Sequence, residues 1–95
     1  MTLTLRHDCP KRRTGLWIRQ VEGETSIFDP ATHEVHLLND SALAIWEQCD
    51  GTTLPSEMVA AISELSGLPD DVVIEDVGTT LGRLDEAGLL WWVTP

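Results

Sequence analysis

Apolar and β-favouring residues cluster in short alternating runs in the first forty positions. Leu16-Trp17-Ile18-Arg19-Gln20-Val21-Glu22 is the first run and stops at Gly23. Thr25-Ser26-Ile27-Phe28 is the second and breaks at Asp29-Pro30-Ala31-Thr32, where Asp suits the first turn position and Pro presets φ for the next. His33-Glu34-Val35-His36-Leu37-Leu38 is the third. Three strands joined by two short turns predict an antiparallel meander. Leu37 and Leu38 must face opposite sides of that sheet, so some burial is expected on both faces.

From Asn39 the period lengthens. Ala42, Ile45, Trp46 and Cys49 recur at helical spacing behind a cap at Asn39 or Asp40, and Asp50-Gly51 stops the helix. Met58, Val59, Ile62 and Leu65 mark a second helix, with Pro55 in its first turn and Gly67 at its end. A third opens at Pro69-Asp70-Asp71, carries the inward stripe Val73, Val77, Leu81 and Leu84, and closes at Gly88. Leu89-Leu90-Trp91-Trp92-Val93 is a terminal extended segment. The order βββ-ααα plus a tail defines an α+β domain.

Charge divides the chain. Residues 1–20 carry Arg6, Lys11, Arg12, Arg13 and Arg19 against Asp8, a local +4, whereas residues 21–95 carry fifteen acids against Arg83 alone, a local −14. The first fourteen residues lack apolar periodicity and read as a flexible basic arm, leaving 15–95 as the domain. A net charge of −10 disfavours nonspecific nucleic-acid binding. The apolar run Gly88 to Val93 is too short for a membrane span, and the start of the chain lacks a signal-like apolar stretch. A cytoplasmic protein is the expectation.

The candidate chemistry is sparse. Cys9 and Cys49 form neither a redox pair nor a disulfide framework and read as reduced bystanders. With the dispersed His7, His33 and His36 they make no zinc set. Asp70-Asp71 and Glu75-Asp76 read as capping and solvating groups on the third helix. No phosphate loop, nucleophile elbow or metal-binding helix motif is present, so no enzyme activity and no cofactor are expected.

The stretch from Ile27 to Asn39, then Ile45-Trp46, Asp50-Gly51 and Leu84-Asp85-Glu86-Ala87-Gly88-Leu89-Leu90, resembles the PqqD-like family. These are the small peptide-binding proteins of pyrroloquinoline quinone biosynthesis and of other ribosomally made, modified peptides, where the domain is called the RiPP recognition element. The resemblance spans about residues 16–91. It implies a winged-helix-like domain that captures the leader of a precursor peptide, without catalysis, for a modifying enzyme such as a radical SAM protein, cyclase or peptidase. The leader would add as a strand along His33, Glu34, Val35, His36 and Leu37, beside Val73, Ile74, Val77, Gly78 and Leu81 of the third helix. Gly78, Thr80 and Gly82 depart from the larger residues usual in the family.

The residues themselves agree on three points. The last strand of a meander has an unpaired edge that an extended peptide can join. Ile74, Gly78 and Gly82 share one helix face that a chain could approach closely. The acidic body suits a basic partner segment. Trp46 belongs in the core, Trp17 in the core or on the sheet surface, and of Trp91 and Trp92 one should point inward and one outward. Two other classes fit the element order. One is a winged-helix DNA-binding regulator, which the acidic third helix opposes. The other is a structural module dimerising through its sheet edge.

Overall fold

A computed structural model of the chain describes residues 5–95. The elements are β1 (Cys9–Arg12), β2 (Trp17–Val21), β3 (Glu24–Asp29), β4 (Glu34–Leu38), α1 (Asp40–Glu47), α2 (Pro55–Ser66), α3 (Asp70–Glu86) and β5 (Leu90–Val93). The expected meander is present as an antiparallel sheet in the order β2-β3-β4, followed by the three helices and the terminal strand.

Local chemistry explains the boundaries. Val21 pairs with Glu24, so Glu22-Gly23 is a two-residue hairpin loop, and Gly23 supplies its positive φ of 73°. Between β3 and β4 the Asp29 carboxylate accepts from the Ala31 N–H at 3.0 Å, and the Asp29 carbonyl accepts from the His33 N–H at 2.8 Å. His33 therefore lies in the turn, with φ of 60°, and not in the strand where the sequence pattern put it. The Asn39 side chain caps α1 by accepting from the Ala42 N–H at 2.9 Å. Pro55 opens α2, and Glu57 reaches back to accept from the Leu54 N–H at 2.8 Å. Gly67, in the left-handed conformation, ends that helix.

The helices pack on one face of the sheet. Ile27 from β3 and Leu38 from β4 meet Ile45 and Trp46 of α1, Met58 and Val59 of α2, and the α3 stripe Val73, Val77, Leu81 and Leu84. Burying each such side chain contributes roughly 1.5–3 kcal/mol, which is what fixes a small domain of this size. Cys49 joins the core, and burial pushes its thiol up to about 12, so it is protonated and unreactive.

One element departs from the sequence expectation. Residues 9–12 are not part of a loose arm: they form β1, paired antiparallel with β5 as a two-stranded ribbon. Cys9 and Pro10 are buried. Backbone bonds from Arg12 N to Cys49 O at 3.0 Å and from Gly51 N to Pro10 O at 2.9 Å tie the ribbon to the end of α1. Arg13 is the clamp: its guanidinium donates to the Gly88 carbonyl at 2.9 Å and lies 2.6 Å from the buried Asp29 carboxylate. Residues 1–4 of the expected arm lie outside the described residues.

Candidate functional site

β3 contributes hydrogen-bonding groups to both of its neighbours, which leaves β2 and β4 as the sheet's edges. The two edges differ in what lies beside them. Along β4 a groove of about 910 Å³ opens between the strand and the exposed flank of α3. Its strand wall is Val35, His36, Leu37 and Leu38; its helix wall includes Glu75, Asp76, Thr79, Thr80 and Arg83. Glu24 of β3, Asn39, Ser41 and Ala42 at the start of α1, and Leu84, Ala87 and Leu89 complete the lining.

The register explains which side chains enter. Ile27 lies opposite His36 and Thr25 opposite Leu38, so His36 and Leu38 share the inner face with the buried residues of β3. Val35 and Leu37 point to the other side and are 59% exposed each. Val35 continues a cross-strand row with Phe28 and Trp17, whose rings lie 5.3 Å apart. His36 is half-buried, and its Nε2 atom is buried with no hydrogen-bond partner among the described residues. In an antiparallel ladder alternate residues turn N–H and C=O outward, so the free edge of β4 offers a repeating set of backbone donors and acceptors along the groove.

Glu34, Val35, His36 and Leu37 lie on this edge, as the sequence suggests. His33 is displaced into the adjoining turn, where its ring meets Phe28 edge-on at 6.4 Å. The helix half of the expected site is corrected more deeply. Val73, Val77 and Leu81 are 1%, 0% and 4% exposed and belong to the core, so their side chains are unavailable to a ligand in the groove. Ile74 is half-buried against that core. Gly78 lines a different and smaller hollow, with Gly82, Pro55 and Trp92, against which Leu5 and Arg6 of the same chain lie. Arg6 stacks 3.8 Å from the Trp92 ring centroid, and the Trp92 indole donates to Asp85 at 2.9 Å. The glycine face therefore borders a hollow that Leu5 and Arg6 of the protein's own N-terminal segment also line.

The groove wall of α3 is instead Glu75-Asp76, Thr79-Thr80 and Arg83. Spacings of three and four residues put them on one flank of the helix, about a third of a turn from the buried stripe. The sequence reading takes Glu75-Asp76 as solvating groups and Thr80 as a departure from the family, and assigns Thr79 and Arg83 no role in the site. The only signal in the sequence is that this polar flank adjoins the inward stripe; that it faces β4 is supplied by the tertiary structure. Among the described residues no cluster of His, Cys, Asp or Glu is arranged to hold a metal ion. No described helix is long and apolar enough to cross a membrane.

The site is thus a sheet edge, open among the described residues, beside a polar helical wall, a geometry with which an extended chain can pair. The family comparison is specific: residues 24–90 match the model of coenzyme PQQ synthesis protein D (PqqD), and the chain belongs to that family. No curated protein sequence matches it. Three solved structures share the fold. TbiB1 in complex with the TbiA(beta) leader peptide has a TM-score of 0.73 and 21% identity, covering 84% of this chain and 93% of that one. A lasso peptide synthetase B1 complexed with the leader peptide has a TM-score of 0.76 and 17% identity, covering 86% and 96%. The solution structure of the PqqD truncation of Methylobacterium extorquens PqqCD, described as a functional, stand-alone RiPP recognition element, has a TM-score of 0.74 and 18% identity, covering 94% and 96%.

Proposed function

We propose that this chain binds the leader segment of a ribosomally made precursor peptide and presents the peptide to a separate modifying enzyme. The observation that carries this reading is the β4 edge, unpaired among the described residues, running beside the α3 groove. A guest in extended conformation pairs with the outward N–H and C=O groups of β4, which gives affinity that depends little on guest sequence. Its alternate side chains then fall into the groove or beside Val35 and Leu37, which gives selectivity. A guest group within reach of His36 Nε2 would supply the partner this buried nitrogen lacks.

TbiB1 and the lasso peptide synthetase B1, which share this fold, are each in complex with a leader peptide, which supports the same use here. The role is non-catalytic in this proposal, and the chemistry belongs to a radical SAM protein, cyclase or peptidase acting on the presented peptide. A DNA-binding role finds no support in the exposed flank of α3, where Glu75 and Asp76 would meet phosphates. The direct experiment is calorimetric titration with the leader of a short peptide encoded beside this chain's gene. Saturable one-to-one binding at micromolar Kd or tighter, about −8 kcal/mol or better, is expected. Heat that does not saturate, with the same leader bound by the isolated modifying enzyme, would contradict it.

A further inference from the structure

The charged side chains that line the groove are unevenly distributed along its length. Arg13 fixes the direction. Its guanidinium contacts both the Gly88 carbonyl and Asp29, and Asp29 pairs with Glu34, so the C-terminal end of α3 lies by the Glu34 end of β4. Glu24 directly precedes Thr25, which pairs with Leu38, and so lies at the opposite end. Along α3, Glu75 and Asp76 are seven to eight residues before Arg83, about 10–12 Å further toward the Leu38 end at 1.5 Å per residue. One end of the groove thus holds Glu24, Glu75 and Asp76, and the other holds Arg83. None of these four is in an ion pair among the described residues.

Resting on the strand-addition reading above, we infer that the groove selects a guest strand bearing a basic side chain toward Glu24, Glu75 and Asp76 and an acidic one toward Arg83. Same-side residues of a strand lie about 7 Å apart at two positions and about 13 Å apart at four, so four positions is the nearer match to this span. Antiparallel addition, the more stable ladder, makes the guest enter at the Leu38 end. The order is then Lys or Arg first and Asp or Glu four residues later. Each charge sits on a partly open rim, so each pair is expected to change Kd by roughly threefold to fivefold. The pairs would act mainly as a register and direction code on top of backbone pairing.

The probe is a displayed library of random peptides, each about sixteen residues long, to span the strand with flanks. It is selected against the wild-type chain and against a charge-swapped chain carrying Glu75→Lys, Asp76→Lys and Arg83→Glu. All three sites are exposed, so the swapped chain is expected to keep the wild-type circular dichroism spectrum and melting temperature. Selected peptides are then mapped by amide chemical shifts on the labelled protein. The expected result is a basic residue four before an acidic one in binders to the wild type, reversed in binders to the swapped chain, with shifts along β4 in both. Binders that shift β4 but carry no such pattern, or the same pattern for both chains, would overturn the charge code and leave strand addition standing. Binders that leave the β4 amides unmoved would overturn both.

Discussion

Replacing Val77 with arginine is expected to unfold the domain, because that side chain is fully buried and a guanidinium there would lack any counter-charge. Loss of the cooperative thermal transition is the check. The informative probe of the helix wall is one turn away: Thr80→Trp should keep the fold while narrowing the groove, and should weaken guest binding about tenfold or more. Gly82 offers the opposite test. A Cβ there meets nothing within 4 Å, and its backbone is helical, so Gly82→Ala should stabilise the protein by about 1 kcal/mol. Arg13 sets a pH-dependent term. Its guanidinium holds the Asp29 carboxyl below the usual carboxylate range, so the pair stabilises the fold above the unfolded-state pKa and stops doing so as pH falls through the lower folded value. Arg13→Met should therefore lower the melting temperature most near pH 7, with the difference from wild type shrinking toward pH 3. A difference independent of pH would show that Arg13 acts through Gly88 alone.

At the scale of the element, β4 is the decisive segment. Proline inserted at successive positions from Glu34 to Leu37 should sort into two alternating sets. One set removes N–H groups bonded to β3 and should lower thermal stability; the other removes outward N–H groups and should leave stability nearly intact while abolishing guest binding. The order of elements was legible in the sequence because turn chemistry and periodicity agree: Gly23, Asp29-Pro30, the Asn39 cap, Pro55 and Gly67 each sit where the backbone requires them. β1 was not legible. Cys9-Pro10-Lys11-Arg12 has no alternation of its own and is held by backbone bonds to β5 and to the residues after α1, which only the tertiary structure supplies. The α3 half of the site was misplaced for a related reason. The stripe Val73, Val77 and Leu81 was correctly read as inward, and an inward stripe cannot also be the groove surface. Truncation of residues 1–13 should accordingly cost stability, since it uncovers Leu90 and strands the Asp29 carboxylate.

For the whole molecule, an acidic body with a short basic N-terminal segment frames a groove whose own ends differ in charge. Screening acts on the exposed rim and hardly on main-chain pairing, so guest affinity should fall only modestly between low and physiological salt. The fold joins that groove to the core through few elements: β4 and α3 each contribute one face to the interior and one to the groove. That sharing explains why groove-lining and core residues are interleaved along the same segments. The most direct test of the central claim is amide hydrogen exchange across the chain with and without a saturating bound peptide. Alternate amides of β4 should gain protection on binding, together with slowed exchange around Thr79 and Thr80, while β2 amides keep their free-state rates. Protection gained on β2 or around Gly78 and Gly82, with β4 unchanged, would contradict it.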